Sequence, residues 1–384
     1  MRDLAILGST GSIGQSTLDV VRRHPGRWRV AALAARHNAA RLAEQVREFA
    51  PGLVAVGDAA TARDLAERLR GGAPVRQPEI RSGLDALVEA AAAGDVVLNA
   101  VVGAAGLRPS LATVRRGARL ALANKESLVL GGELVTAAAR AAGAEILPVD
   151  SEHAGLFQCL AGGSVDDVDR LVLTASGGPL RRHPDWRRAT PAEVLAHPVW
   201  RMGARITTDS ATLLNKGLEV IEARWLFGVE LERIAVLVHP QAAVHALVEW
   251  RDGSMTAQLA VPDMRLPIQM ALAWPDRLAA PIPRLDLAAI GVLEFEGVTT
   301  ERFPCFALAQ RAAAAGGLAP TVLNAADEVA VELFHAGRIS LGELPDLLSA
   351  ALDAHPRGAA DSLEAIEAAD AWARRETRRR AERR

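Results

Sequence analysis

Apolar and polar positions change rhythm along this chain. In the first 150 residues, short apolar runs recur at Leu4 to Leu7, Val30 to Ala35, Leu53 to Val56, Asp95 to Val102, Arg119 to Ala123 and Ala144 to Val149. Between several of them lie stretches with helical spacing, such as Leu18, Val20 and Val21, then 39–49 and 60–69. Buried-looking strands alternating with helices predict a doubly wound parallel sheet, whose ligands gather at the carboxyl ends of strands. After residue 150 the pattern loosens. Residues 154–160 read as helix, 171–174 as a strand, and 181–203 as a polar stretch bearing Pro and Trp, helical in part at 191–196. Long irregular segments often serve as lids, so Trp200 and Met202 read either as a flap over a ligand or as core. Ile234 to Leu237, Ala243 to Trp250 and Met255 to Ala260 alternate as antiparallel strands, with Asp252-Gly253 as a hairpin turn. From Phe303 onward, alanine- and leucine-rich helical spacing predicts a small helical domain. The expected division is a nucleotide-binding domain at 1–149, an α+β catalytic domain at 150–274, a proline-rich linker at 275–302 and helices at 303–384.

Length and charge narrow the possibilities. A chain of 384 residues exceeds what one core usually serves, so two or three domains are expected. A formal net charge of −2 gives no reason to expect nucleic acid or a membrane surface as partner. The basic run from Arg374 to Arg384 is broken by Glu376 and Glu382 and reads as a solvated helix end. Two cysteines, Cys159 and Cys305, exclude a disulfide framework or a thiolate zinc site and suit a reducing cytosol. No apolar run approaches the ~18 residues of a membrane span. A strand beginning within the first residues leaves no room for a leader, and a cytoplasmic location is expected.

Candidate chemistry falls at strand ends. Leu4 to Leu7 enters Gly8-Ser9-Thr10-Gly11-Ser12-Ile13-Gly14 and then a helical pattern. Strand, glycine-rich turn and helix make a dinucleotide site, the glycines allowing a tight turn and the helix amino end meeting a pyrophosphate. The second strand ends at Arg36-His37-Asn38, where an arginine suits a 2′-phosphate and favours NADP over NAD. A later strand ends at Asn124-Lys125-Glu126. Another ends at Asp150-Ser151-Glu152-His153, where residues two apart on a strand would aim both carboxylates at one point. Such a pair binds a hard cation or shares a proton; otherwise it is a polar turn. Farther on, Thr207-Thr208-Asp209-Ser210 precedes an apolar-periodic run and reads as a helix start. Asn215, Lys216 and Glu219 share one helix face. They could hold a phosphate and complete a three-carboxylate cation site with Asp150 and Glu152, or form an ordinary lysine–glutamate surface pair.

Assembled in order, these segments resemble the 1-deoxy-D-xylulose-5-phosphate reductoisomerase family along nearly the whole chain. The resemblance rests on GSTGSIG at 8–14, NAVVGAAGL at 99–107, ALANKESLV at 121–129 and LPVDSEH at 147–153. It continues through TASGGP at 174–179, NKGLE followed by IEARWLF between Asn215 and Phe227, VHPQ at 238–241 and PDMR at 262–265. It implies a Rossmann-like N-terminal domain and a homodimer. It implies NADPH contacts from Thr10, Gly11, Ser12, Ile13, Asn38, Asn124, Glu126 and Gly203, besides Arg36. It implies Mg²⁺ or Mn²⁺ on Asp150, Glu152 and Glu219, and a phosphorylated sugar on Ser176, His197, Ser210, Asn215 and Lys216. Lys125 and Ser151 would meet the substrate's hydroxyl and carbonyl oxygens, and Lys125 and Glu152 would polarise it or move protons.

Several positions depart from the family's usual residues: Arg36-His37, Val199, Ala204-Arg205, Ala242 and Asp327, the last standing where asparagine is usual. None removes an implied metal or phosphate contact, so the expectation is altered cofactor affinity at most. A simple NADPH reductase of a phosphorylated sugar would not need three carboxylates. A non-catalytic NADP-binding sensor would not need to keep Asp150, Glu152, Lys216 and Glu219 together.

Overall fold

The computed structural model describes residues 1–71, 77–200 and 202–383. Arg201, inside the expected flap, and Arg384, at the end of the basic run, lie outside the described residues. By contact density the chain forms two units. The first comprises Met1–Ser127, Val135–Ala154 and Asp263–Pro283, and the second Leu128–Leu134, Gly155–Pro262 and Arg284–Arg384.

The first unit is the expected doubly wound sheet. Its elements run β1 (Arg2–Leu7), α1 (Ser12–Arg23), β2 (Trp28–Ala35), α2 (Ala39–Phe49), β3 (Leu53–Val56), α3 (Ala59–Arg70), β4 (Glu79–Ser82), α4 (Leu84–Ala92), β5 (Val96–Asn99), α5 (Leu107–Arg115), β6 (Arg119–Leu122), α6 (Glu126–Ala142) and β7 (Ile146–Pro148). The strands are all parallel, in the order β4-β3-β2-β1-β5-β6-β7. The order reverses between β1 and β5, so the crevice for a ligand opens at their carboxyl ends. Leu4, Ala5, Ile6 and Leu7 are fully buried, which is why a central strand reads as an unbroken apolar run. β4 was not expected: it is a short polar edge strand, made by its ladder to β3 rather than by an apolar pattern.

One expectation is corrected here. The last strand stops at Pro148, Val149 N still donating to Leu122 O of β6 at 2.9 Å, and helix α7 (Ser151–Leu160) begins three residues later. Asp150 and Glu152 therefore do not alternate along a strand. Asp150 precedes a helix, and Glu152 sits in its first turn.

The second unit holds a mixed sheet, β11-β10-β8-β9-β12, and a helical layer. Its elements are β8 (Val168–Ala175), α8 (Pro191–Leu195), α9 (Ala204–Ala211), α10 (Leu214–Phe227), β9 (Ile234–Val238), β10 (Val244–Trp250) and β11 (Met255–Leu259). Strands β10 and β11 form the expected hairpin, with Gly253 at φ +84° in its turn. Strand β9, in contrast, runs parallel to β8, because the helical segment between them is a crossover rather than a tight turn. Helix α11 (Arg265–Ala273) then returns to the first unit and packs on α1. After α12 (Leu287–Ile290) and β12 (Glu296–Gly297) come α13 (Pro304–Ala315), α14 (Ala319–His335), α15 (Leu344–Ala354) and α16 (Leu363–Ala381). Buried Leu171, Leu173, Val220 and Phe306 join the sheet, α10 and α13 in one core. No helix among the described residues is long and apolar enough to cross a membrane.

Candidate active site

In the first unit, the glycine turn is built for close approach. Gly8 has φ +86°, and a Cβ on Gly14 would collide with the Ser9 backbone. Gly11 is the N-cap of α1 and makes no side-chain cap, and no acidic residue stands in the helix's first turn. The amino end of α1 is thus neither capped by its own chain nor repelled by a carboxylate, which fits a pyrophosphate. Gly11 and Ser12 are exposed, and Thr10 and Ile13 half-buried. At the next strand end, Arg36 is exposed, and His37 Nδ1 lies 3.5 Å from Asp58 Oδ2. Asn38 caps α2, its Oδ1 accepting from Arg41 N at 3.1 Å.

Asn124 and Glu126 are buried and engaged with the loop after β5. Asn124 Nδ2 donates to Val101 O at 2.6 Å and to Glu126 Oε2 at 2.9 Å, while Glu126 Oε1 accepts from Gly103 N at 3.1 Å. A side chain on Gly106 would run into Asn124. These two residues therefore shape the loops at the carboxyl end of β5 and β6.

Lys125 stands between them and turns the other way. Its Nζ donates to Asp150 Oδ2 at 3.0 Å. The other Asp150 oxygen accepts from Glu152 N at 3.1 Å and from His153 Nδ1 at 3.0 Å. Ser151 Oγ donates to Glu152 Oε2 at 2.9 Å. His153 is fully buried and fixes Asp150; the i, i+3 spacing in Asp150-Ser151-Glu152-His153 was the available signal for that role. Lys125, Asp150, Ser151 and Glu152 thus form one polar group at the carboxyl ends of β6 and β7.

The remaining site residues lie in the second unit. Ser176 follows β8, and His197 precedes the 198–203 segment. His197 Nδ1 accepts from Val199 N at 3.1 Å and Trp200 N at 2.9 Å, so its proton sits on Nε2, 3.0 Å from Ser176 Oγ. Burial holds the His197 imidazole below its ordinary pKa, in keeping with that neutral form. Ser176 Oγ also accepts from Gly178 N at 3.2 Å, which leaves its own proton to donate outward. Gly178, at φ +69°, lies so close to the Ser210 and Ala211 backbone that a Cβ would clash, which brings the β8 loop against α9. Trp200 is tilted against His245, ring centroids 6.4 Å apart, and is half-buried, while Gly203 is exposed as the N-cap of α9.

The expected helix start at 207–210 is corrected: those residues are themselves helical in α9. The helix breaks at Thr212-Leu213 and restarts as α10, with Asn215 and Lys216 in its first turn. Asn215 Nδ2 and Lys216 Nζ both donate to the Glu219 carboxylate. Lys216 and Glu219 are both nearly inaccessible, so the pair is not a surface ion pair. Of the departing residues, Arg205 turns into the second unit's interior to meet Glu328 at 2.9 Å, and Ala242 adopts φ +49°.

A nucleotide-type sheet with an uncapped phosphate turn, carboxylates and a lysine at its carboxyl edge, and hydroxyls and an ammonium around a helix start define a nucleotide-linked α/β enzyme. Comparison with known proteins gives the class a family. Residues 4–132 match the family profile of 1-deoxy-D-xylulose 5-phosphate reductoisomerase, and 146–227 and 259–376 match its two C-terminal domain profiles. The reductoisomerase of Ralstonia nicotianae is 52% identical over 98% of this chain and 97% of its own, and that of Chlorobium limicola 49% identical over 98% and 99%. The Zymomonas mobilis enzyme in complex with NADPH aligns at TM-score 0.92 and 41% identity over 99% of both chains. A reductoisomerase bound to NADPH, fosmidomycin and magnesium aligns at TM-score 0.95 and 39% identity over 100% and 98%. The chain belongs to the 1-deoxy-D-xylulose 5-phosphate reductoisomerase family.

Proposed function

We propose that this chain converts 1-deoxy-D-xylulose 5-phosphate to 2-C-methyl-D-erythritol 4-phosphate with NADPH and Mg²⁺ or Mn²⁺, as a step in non-mevalonate isoprenoid synthesis. The observation that carries the reading is Lys125 Nζ at 3.0 Å from Asp150, beside Glu152, at the carboxyl edge of a dinucleotide-type sheet. Oxygen-only donors suit a hard cation, and Asp150, Glu152 and Glu219 would hold it. Thr10, Gly11, Ser12 and Ile13 would cradle the pyrophosphate of NADPH, and Arg36 would meet its 2′-phosphate. Asn38, Asn124, Glu126 and Gly203 would complete that pocket. When bound, the cation supplies Lewis-acid charge for an α-hydroxyketone's oxygens and NADPH supplies a hydride.

The chain's own residues would do the rest. Ser176 Oγ–H, Ser210, Asn215 and Lys216 would bind the phosphate, with His197 holding Ser176 in its donating orientation. Binding energy taken there positions carbons several bonds away. Lys125 Nζ would donate to a substrate oxygen, Ser151 Oγ would orient it, and Glu152 would accept or return a hydroxyl proton. The segment bearing Trp200 and Met202 would exclude water.

We further read the protein as a cytoplasmic homodimer. The exposed face of the second unit's sheet, which ends at edge strand β11 with Met255 53% exposed, would be the surface for the second copy. Nothing in its charge calls for nucleic acid.

The test is NADPH absorbance decay with 1-deoxy-D-xylulose 5-phosphate, with and without Mg²⁺ or Mn²⁺, beside Asp150→Asn. Metal-dependent decay that the substitution abolishes is expected. Metal-independent decay, or none in a protein that binds NADPH, would overturn the assignment.

A further inference from the structure

Helix α9 carries Ser210 and begins at the flap glycine. It is fastened to α14 by a buried charged cluster. Arg205 donates to Asn324 Oδ1 at 2.7 Å and Glu328 Oε1 at 2.9 Å, and lies 3.5 Å from Asp327 Oδ2 and 3.6 Å from Asp209 Oδ2. Glu328 is already shared, since its Oε2 accepts from Arg374 NH2 of α16 at 2.6 Å, and Arg374 also pairs with Asp370. One guanidinium therefore faces two further carboxylates, Asp209 at 3% and Asp327 at 0% exposure. Asp327 Oδ1 meets no hydrogen-bond donor among the described residues. Two carboxylates buried against one shared guanidinium repel one another, and a proton held between them turns that repulsion into a hydrogen bond.

We propose that Asp327 is a positioning residue for the phosphate end of the site: as a neutral acid it donates its proton to Asp209 and so locks α9, with Ser210, onto α14. The inference rests on the function proposed above. Asparagine at 327 would supply the same donor permanently through its amide, whereas aspartate supplies it only while protonated. Burial first, then the Asp209 carboxylate, holds the Asp327 carboxyl well above the usual range. Of the other groups facing the pair, Arg205 stays charged and Glu328 is tied to it and, through its second oxygen, to Arg374. Cys305 of α13, buried and beside both aspartates, keeps its thiol well above its ordinary value. On α14, His335 meets Thr208 Oγ1 at 2.8 Å, and burial lowers its pKa, so it titrates on the acid side and not with Asp327.

The sign follows. A raised carboxyl keeps the folded state protonated where the unfolded chain has already ionised. Its contribution is whole below about pH 4 and is lost as pH rises through the folded pKa.

Two measurements on parent and Asp327→Asn test it. The infrared spectrum at a pH just above the ordinary carboxylate range should contain a protonated-carboxyl carbonyl band that Asp327→Asn removes. As pH rises, KM for the phosphorylated substrate should rise about tenfold per pH unit once Asp327 ionises, with kcat little changed. Asp327→Asn should lack that rise, while Lys216 and the substrate titrate alike in both proteins. A carboxyl band that survives the substitution, or superimposable KM profiles, overturns the proposal. Absence of turnover in both proteins with the band difference intact would instead count against the assigned reaction.

Discussion

The helix that carries Asn215, Lys216 and Glu219 is seated by a residue with no side chain. Gly217 lies in the first turns of α10 and faces Ala309 of α13. A Cβ at 217 would come closer than 3.0 Å to Ala309 Cβ, with Phe306 Cδ2 at 3.6 Å behind it. Carbon atoms rest about 3.5–4.0 Å apart, so Gly217→Ala must push the two helices apart by roughly 1 Å. Overpacking of this kind costs about 1–3 kcal/mol, and the better helix propensity of alanine returns about 1 kcal/mol. The net loss of stability should be about 1 kcal/mol. The effect on the site should be larger, because a displacement near 1 Å would move Asn215 and Lys216 away from the phosphate position proposed for them and can lower kcat/KM by roughly 10²-fold. The assay is a double-mutant cycle with Ala309→Gly, reading the urea midpoint and kcat/KM of parent, single and double variants. Removing the Ala309 methyl from beneath the new one should restore most of the activity, giving a coupling of at least about 1 kcal/mol. Additive effects, or a Gly217→Ala protein with parental kinetics, would refute the claim that this contact sets the position of α10.

Two further outcomes are expected. Arg36→Ala should raise KM for NADPH about tenfold, the loss of one charge-assisted hydrogen bond, and leave NADH unchanged; equal shifts for both cofactors would show that Arg36 does not read the 2′-phosphate. For His197, a depressed pKa means that the neutral ring's contribution is present above about pH 6.5 and is lost as pH falls through the folded value. Protection of the Val199 and Trp200 amides, which donate to Nδ1, should therefore fall on acidification relative to the intrinsic exchange rate, and protection that stays flat through the ring's own titration would contradict the Nε2–H tautomer.

What the sequence makes legible follows from how each feature is stabilised. Strands β1, β2, β3, β5 and β6 are covered on both faces, so apolar runs announce them; β4 is held by its ladder alone and leaves no such mark. The acidic pair was readable as residue types at a strand end, but not as geometry, because the chain passes from β7 into α7 within three residues and leaves Asp150 and Glu152 at a helix start. Lys125 against Asp150 joins residues 25 apart, and no local period predicts it. Nor does periodicity indicate that Asp263–Pro283 returns to the first unit, because α11 looks like any amphipathic helix until its neighbour α1 is known. Arg205 and Asp327 could be noticed as departures, yet their meaning depends on α9 and α14 being adjacent, which is a tertiary fact.

The break between α9 and α10 is the clearest case of structure overriding local preference. Residues 204–227 could form one helix, and at 100° per residue Ser210 and Asn215 would then point about 140° apart. A single anion could not be gripped by both. Leu213 instead takes φ +60°, a conformation that costs a non-glycine residue roughly 1–2 kcal/mol, and its side chain is buried at 2% exposure. The burial offsets the strain, since a buried leucine contributes about 1.5–3 kcal/mol. In return the chain gains a second helix amino end, and with it the positive end of a second helix dipole beside Asn215 and Lys216. A leucine that looks like ordinary core in the sequence thus ends one helix and starts the next, and so frees Ser210 and the start of α10 from the fixed 140° of a continuous helix, as the proposed phosphate site requires.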